Sequence, residues 1–241
     1  MSKLELWRAA ADGDVERVER LIQQEVDVNC RLFGFRDSPL HKAASGGHVG
    51  VAELLLKAGA RVDSRNRSEA TPLNIAAKGG NVGVAELLLK AGAQVDSRDE
   101  SQGTPLHKAA SGGHVGAAEL LLKAGARVDS RNKYGDSPLH KAASGGHVGV
   151  AELLLKAGAQ VDSRTESEAT PLHEAALYGH VGVAELLLKA GAQVDGRNES
   201  GETPEDMAAS EDVPWTCDDK DYVLDGRKDI LELFAEEKIV R

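Results

Sequence analysis

Residues 137–164 read SPLHKAASGGHVGVAELLLKAGAQVDSR, and near-copies occupy 71–98 (TPLNIAAKGGNVGVAELLLKAGAQVDSR) and 170–197 (TPLHEAALYGHVGVAELLLKAGAQVDGR). Proline recurs at 39, 72, 105, 138, 171 and 204, always 33 residues after the last. A fixed period of this length marks a chain of stacked supersecondary units. One such unit cannot bury its own apolar side, so each must lean on its neighbours.

Each part of the unit has a mechanical reading. Ser38, Thr71, Thr104, Ser137, Thr170 and Thr203 precede proline and fit helix N-caps, with proline at the first helical position. The short helix that follows presents Leu40, Ala43 and Ala44 on one side, and Gly46-Gly47 ends it. A second helix is predicted from about Val49 to Ala58, burying Val51, Leu54 and Leu55. Glu53 and Lys57 stand at i and i+4 on its wet side. Gly59 stops it, and an extended reversal leads to the next unit.

The units resemble ankyrin repeats in their period, the T-P-L-H-x-A-A opening, the G-H turn and the L-L-L-x-A-G-A-x-V-D ending, over nearly the whole chain. The resemblance implies an all-α solenoid of stacked antiparallel helix pairs with short β-hairpin fingers at one edge. It also implies a non-catalytic module or scaffold that binds another protein through the fingers and the concave first-helix surface. A substrate-recruiting adaptor of a larger complex, such as a ubiquitin ligase, and an engineered ankyrin-repeat binder are the alternatives. We read one domain over 1–241: an N-terminal cap at 1–36, five internal repeats at 37–201, and a C-terminal cap at 202–241. In that cap GRKDILELF, from Gly226, aligns with GHVGVAELL, so 212–225 is an insertion between its two helices.

Composition narrows the function. Only 3% of residues are aromatic, so the core is Leu, Val and Ala. The net charge of −10 is uneven: residues 199–241 hold 14 acidic and 5 basic side chains, and the rest of the chain is near neutral. Neither part has the basic surplus that phosphate-backbone binding requires, so no nucleic acid is expected. No apolar run is long enough for a membrane span, and the opening residues lack the apolar stretch of a secretory signal, so neither a span nor a leader is expected. Cys30 and Cys217 read as free thiols of a reducing compartment, the cytosol or nucleus. A monomer is expected.

In an array this uniform the departures carry information. The first finger is one residue longer and reads RLFGFRD, setting Phe33 and Phe35 either as a contact hot spot or folded back on the cap. Leu177-Tyr178 replaces the usual small pair, and Glu174 replaces the lysine found at 42, 108 and 141. With Tyr134 at a finger tip, Tyr178 is the best aromatic anchor on the expected binding face; repeat drift is the plainer explanation. Lys42, Ile75 and Lys78 complete the candidate surface there. Trp215 and Tyr222, in the acidic insertion, suit either a partner's basic groove or a local cap over the open end. A glycine column (Gly50, Gly83, Gly116, Gly149, Gly182) has no account in the sequence, since glycine costs a helix about 0.5–1 kcal/mol against alanine.

No catalytic, cofactor or metal site is expected. The eight histidines belong to the T-P-L-H and G-H motifs. Equivalent positions on stacked helices lie about 8–10 Å apart, too far to share a zinc ion. They are expected to bond helix starts to turns. An arginine column (Arg65, Arg98, Arg131, Arg164, Arg197) follows an aspartate column (Asp63, Asp96, Asp129, Asp162, Asp195) by two residues; the two are expected to pair across repeats, with an acidic or phosphorylated ligand lying along the fingers as the alternative.

Overall fold

The computed structural model describes residues 2–31, 34, 36–210 and 220–240. Among them the chain is all-helical, with α1 (Ser2–Asp12), α2 (Val15–Gln23), α3 (Pro39–Gly46), α4 (Val49–Lys57), α5 (Pro72–Lys78), α6 (Val82–Lys90) and α7 (Pro105–Ser111). There follow α8 (Val115–Lys123), α9 (Pro138–Ser144), α10 (Val148–Lys156), α11 (Pro171–Leu177), α12 (Val181–Lys189), α13 (Pro204–Ala209) and α14 (Lys220–Val240). The fold is the helix-pair solenoid expected of the repeat. It packs as two units, Met1–Ala109 with Gly116–Arg127, and Ala110–Val115 with Val128–Arg241.

Within a pair, the first helix starts on its capping residue. Ser38 Oγ accepts from the His41 amide while His41 Nδ1 lies 2.8 Å from that hydroxyl and accepts from the Ser38 amide. Gly47, at φ +70°, reverses the chain into α4, a backbone angle that glycine adopts without steric cost. Leu40, Ala43 and Ala44 of α3 and Val51, Ala52 and Leu55 of α4 are fully buried. Leu54 is only half-buried. The expected Glu53–Lys57 pair forms at 2.7 Å and repeats in α6, α8, α10 and α12.

The glycine column has a steric cause. A Cβ on Gly50 would stand 3.3 Å from Val15 Cγ2, one on Gly83 2.9 Å from Val49 Cγ2, and one on Gly116 3.3 Å from Val82 Cγ2. In the second unit Gly149 and Gly182 meet Val115 and Val148 in the same way, each at 3.1 Å. The first residue of each second helix therefore rests on the glycine of the next. Val15 is 43% exposed and still serves this ladder.

The fingers contain no strand among the described residues; they are turns tied to one another. Asn66 N–H donates to Ala70 O, and Glu100 N–H to Ser68 O of the preceding finger. The charge columns reach backbone groups where pairing with each other was expected. Arg65 Nη1 donates to Arg98 O at 2.6 Å and to Glu69 O, and Arg131 and Arg164 likewise reach Arg164 O and Arg197 O. The aspartates accept from backbone amides of the next repeat: Asp63 from Gln94, Asp129 from Gln160, Asp162 from Gln193. The backbone offers each ion a partner at a fixed spacing, and this outcompetes a solvent-exposed charge pair. Asn29 does the same in the first repeat, accepting from Arg61 N–H and donating to Gly59 O.

The C-terminal cap departs from expectation at α14. The helix begins at Lys220, six residues before Gly226, so the end of the insertion is helical. Arg227 lies 47 residues after His180, the 33-residue period plus fourteen, and takes over the histidine's bond. His147 and His180 bond through Nε2 to Ser111 O and Ser144 O. Arg227 donates from Nε and Nη2 to Leu177 O, and from Nη1 to Ser210 O, with its side chain 1% exposed. Contact at Gly226 is backbone to backbone: a Cβ there would strike Gly179 O.

Candidate functional site

Several residues singled out in the sequence stand on first helices, on a frame whose repeated histidines are satisfied internally. His41, His140 and His173 each bond through Nε2 to a carbonyl of the following finger, Ala70, Ala169 and Glu202, at 3.0–3.1 Å. Nδ1 meanwhile accepts from the cap residue, so the ring is neutral and carries its proton on Nε2. Burial pushes the His140 imidazole down to about 4, and lowers His41 and His173 as well. These histidines hold helix starts to fingers, as expected. Among the described residues, no group of three His, Cys, Asp or Glu side chains could hold a metal ion.

In the first unit, Lys42 is locked in place. Its ammonium sits 3.0 Å from Asp37 Oδ2 and 4.5 Å over the Trp7 ring, while Trp7 Nε1 donates to Asp37 O. Ile75 is half-buried and Lys78 exposed. A groove of about 430 Å³ opens here, lined by Asp37, His41, Lys42, Ser45, Asn66, Arg67, Ser68, Ile75 and Glu100. Lys108 of α7 is likewise paired, 2.5 Å from Asp99.

In the second unit, Lys141 lies 2.5 Å from Asp136 Oδ2. Burial opposes the charge on Asp136, but the Lys141 ammonium and Asn132 outweigh it and hold the carboxyl below its usual range. Tyr134 is 55% exposed at its finger tip, with Lys133 Nζ 4.9 Å over its ring. Its carbonyl accepts from Glu166 N–H, which fixes the tip against the next finger. On α11, Glu174, Leu177 and Tyr178 are half-buried, and Tyr178 stacks on His180 at 6.2 Å between ring centres. Burial first, and Asp136 second, push the Glu174 carboxyl up to about 7 against the opposing pull of Lys141.

Each unit thus brings its own candidates to its first-helix side. Tyr222 stands 62% exposed on α14 instead. Phe33, Phe35 and Trp215 lie outside the described residues, as does most of the 212–225 insertion. Sequence reasoning missed Trp7 and Arg227. The alignment of Gly226-Arg227 with the G-H turn could have found the second.

Short capped helix pairs, repeated and closed by bonded turns, define a solenoid-type repeat protein with an open side-chain face. Sequence models of ankyrin repeats match residues 6–99, 94–165 and 154–208. The chain belongs to the ankyrin-repeat family. Its structure is similar to the crystal structure of the human ASB11 ankyrin repeat domain, with a TM-score of 0.78 and 32% identity over 92% of this chain and 96% of that one. Shorter likenesses include a probable E3 ubiquitin-protein ligase, XBOS32, of Oryza sativa subsp. japonica, 41% identical over 66 residues. That match covers 25% of this chain and 12% of the ligase. Human ankyrin repeat domain-containing protein 39 is 37% identical over 60 residues, 25% of this chain and 32% of that protein. The chain therefore spans a small part of the curated relatives it matches.

Proposed function

We propose that the chain is a non-catalytic protein-interaction module, a monomer of the cytosol or nucleus, that engages a partner through its finger tips and first-helix faces. One observation supports this reading: repeated polar residues are spent on bonds to the backbone, and the residues that depart from the repeat fall, unit by unit, at first-helix and finger positions, Ile75 and Lys78 in the first unit and Tyr134, Glu174, Leu177 and Tyr178 in the second. Phe33, Phe35 and Trp215 belong to the same proposal from sequence alone. Partner capture with the double variants Ile75→Ala/Lys78→Ala and Tyr134→Ala/Tyr178→Ala tests it. Loss of a partner in either is expected; retention of every partner by both would place the surface elsewhere.

The likeness to a plant ubiquitin ligase favours a second, narrower reading, a substrate-recruiting adaptor whose C-terminal insertion meets the larger complex. Because α14 begins at Lys220, a clean test deletes 212–219 only. Loss of ubiquitin-ligase activity in the captured complexes, with substrate binding intact, is expected. Unchanged complexes would dismiss the adaptor reading.

A further inference from the structure

We propose that the first-helix face of α11 receives an arginine or lysine side chain from an extended basic segment of a partner protein, with Glu174 as the ion it meets and Leu177 and Tyr178 beside it. This rests on the interaction-module reading above and names the partner's chemistry.

Charge complementarity supports it first. The first four finger-and-first-helix segments (32–45, 66–78, 99–111 and 132–144) hold seven basic and five acidic residues. The last two, 165–178 and 198–210, hold seven acidic residues and no basic one. Within this excess Glu174 is distinct. Glu166, Glu168, Glu199 and Glu202 are exposed, Asp206 caps α13 through Thr203, and Glu205, also half-buried, stands in the first turn of α13. Glu174 sits half-buried on the helix face itself, at the register position where α9 carries Lys141.

The local ion pairs leave that carboxyl without a cation of its own. The Lys141 ammonium acts on Glu174 through its charge, but it is held at 2.5 Å by Asp136, which Asn132 also binds. On α13 the equivalent position is Met207, uncharged. Burial and Asp136 both oppose ionisation of Glu174, which is why its carboxyl titrates at about 7. A desolvated carboxylate beside another acid gains most from an incoming guanidinium or ammonium. Tyr178 stands one helical turn further along α11, at i+4, where an aromatic face can stack on a cation. An acidic or phosphorylated ligand would meet seven carboxylates instead.

Selection of phage-displayed random 12-residue peptides on the full chain tests the inference. Arginine- or lysine-bearing sequences should be enriched, and binding should weaken with added salt. For an enriched peptide, Glu174→Lys should raise Kd about tenfold or more, and Glu174→Gln about threefold, with thermal melts confirming that both variants fold. Should the lysine variant unfold, the near-isosteric glutamine variant decides. Enrichment of peptides without basic residues overturns the inference, as does an unchanged Kd in both variants. If such peptides still lose binding with Tyr134→Ala/Tyr178→Ala, the interaction module stands and only its charge preference is wrong. Absence of any enriched peptide also counts against the inference, while partner capture judges the module separately.

Discussion

The faces of α3 and α11 share the frame PLHxAA yet do opposite things with their fourth residue. On α3, Lys42 is neutralised by Asp37 and covered by Trp7. On α11, Glu174 has replaced the lysine while its surroundings still carry an acid, Asp136, already matched to Lys141. The contrast teaches where function is written in such an array. Residues that repeat are bound to backbone or to one another, and Glu174, which departs, is left with a charge that its own repeat does not match.

The comparison can be broken or sharpened by experiment, beginning at the cap that closes the second unit. Arg227 is the buried counterpart of the turn histidines, and its removal leaves the carbonyls of Leu177 and Ser210 unbonded. Arg227→Ala should cost about 2–6 kcal/mol in urea unfolding, about 1–3 for each carbonyl that loses its donor and more than any finger-tip change. A loss below about 1 kcal/mol would show that α14 docks without it.

The repeated histidines should respond to pH in the sense their burial dictates. The folded-state value of His140, about 4, lies below the ordinary 6.5, so the unfolded chain binds the proton more readily between those values. The stability it contributes is complete above pH 6.5 and is lost as pH falls through about 4. For His140 the full effect is on the order of 3 kcal/mol, from a shift of roughly two and a half units. A melting temperature that is flat from pH 7 to 4.5 would contradict the neutral, carbonyl-bound ring.

Glu174 should show the reverse. Its folded-state value, about 7, lies above the ordinary 4.5, so the folded chain holds its proton longer and stability falls as pH rises through that window. Glu174→Gln should therefore stabilise the chain at pH 8 by about 1–2 kcal/mol, discounted for partial exposure, and by much less at pH 5. An equal effect at both values would sever the change from ionisation. The smallest effect belongs to the finger tips: Glu69, Gln102 and Glu168 hold φ of 57–60°, where Gly135 and Gly201 occupy the same register. Glycine at each should stabilise by about 0.5–1 kcal/mol, read from the denaturation midpoint.

Much of this was legible in the sequence for a physical reason. Period, caps and turn glycines are local signals, and they placed the helix pairs and the buried leucines and alanines. The histidines were readable because one geometry serves every copy. The glycine column was opaque, since its cause, a valine from the neighbouring repeat, exists only after stacking. The arginine and aspartate columns misled because charge complementarity suggests side-chain pairing, whereas the finger backbone lies closer. In the candidate site, Lys42 looked like free positive charge until Trp7 and Asp37 were seen to enclose it. The weight of Glu174 emerged only with its burial.

The role proposed for Glu174 is to receive a partner's cation. Calorimetric titration of an arginine-bearing peptide at pH 7, repeated in two buffers of different ionisation enthalpy, measures it directly. The neighbouring charges Asp136 and Lys141 are paired, and His140 and His173 have values lowered by burial, His140 to about 4, so Glu174 is the group poised to respond. The account predicts release of on the order of half a proton per peptide bound, abolished by Glu174→Gln. Binding with no proton exchanged in the unaltered chain would contradict it.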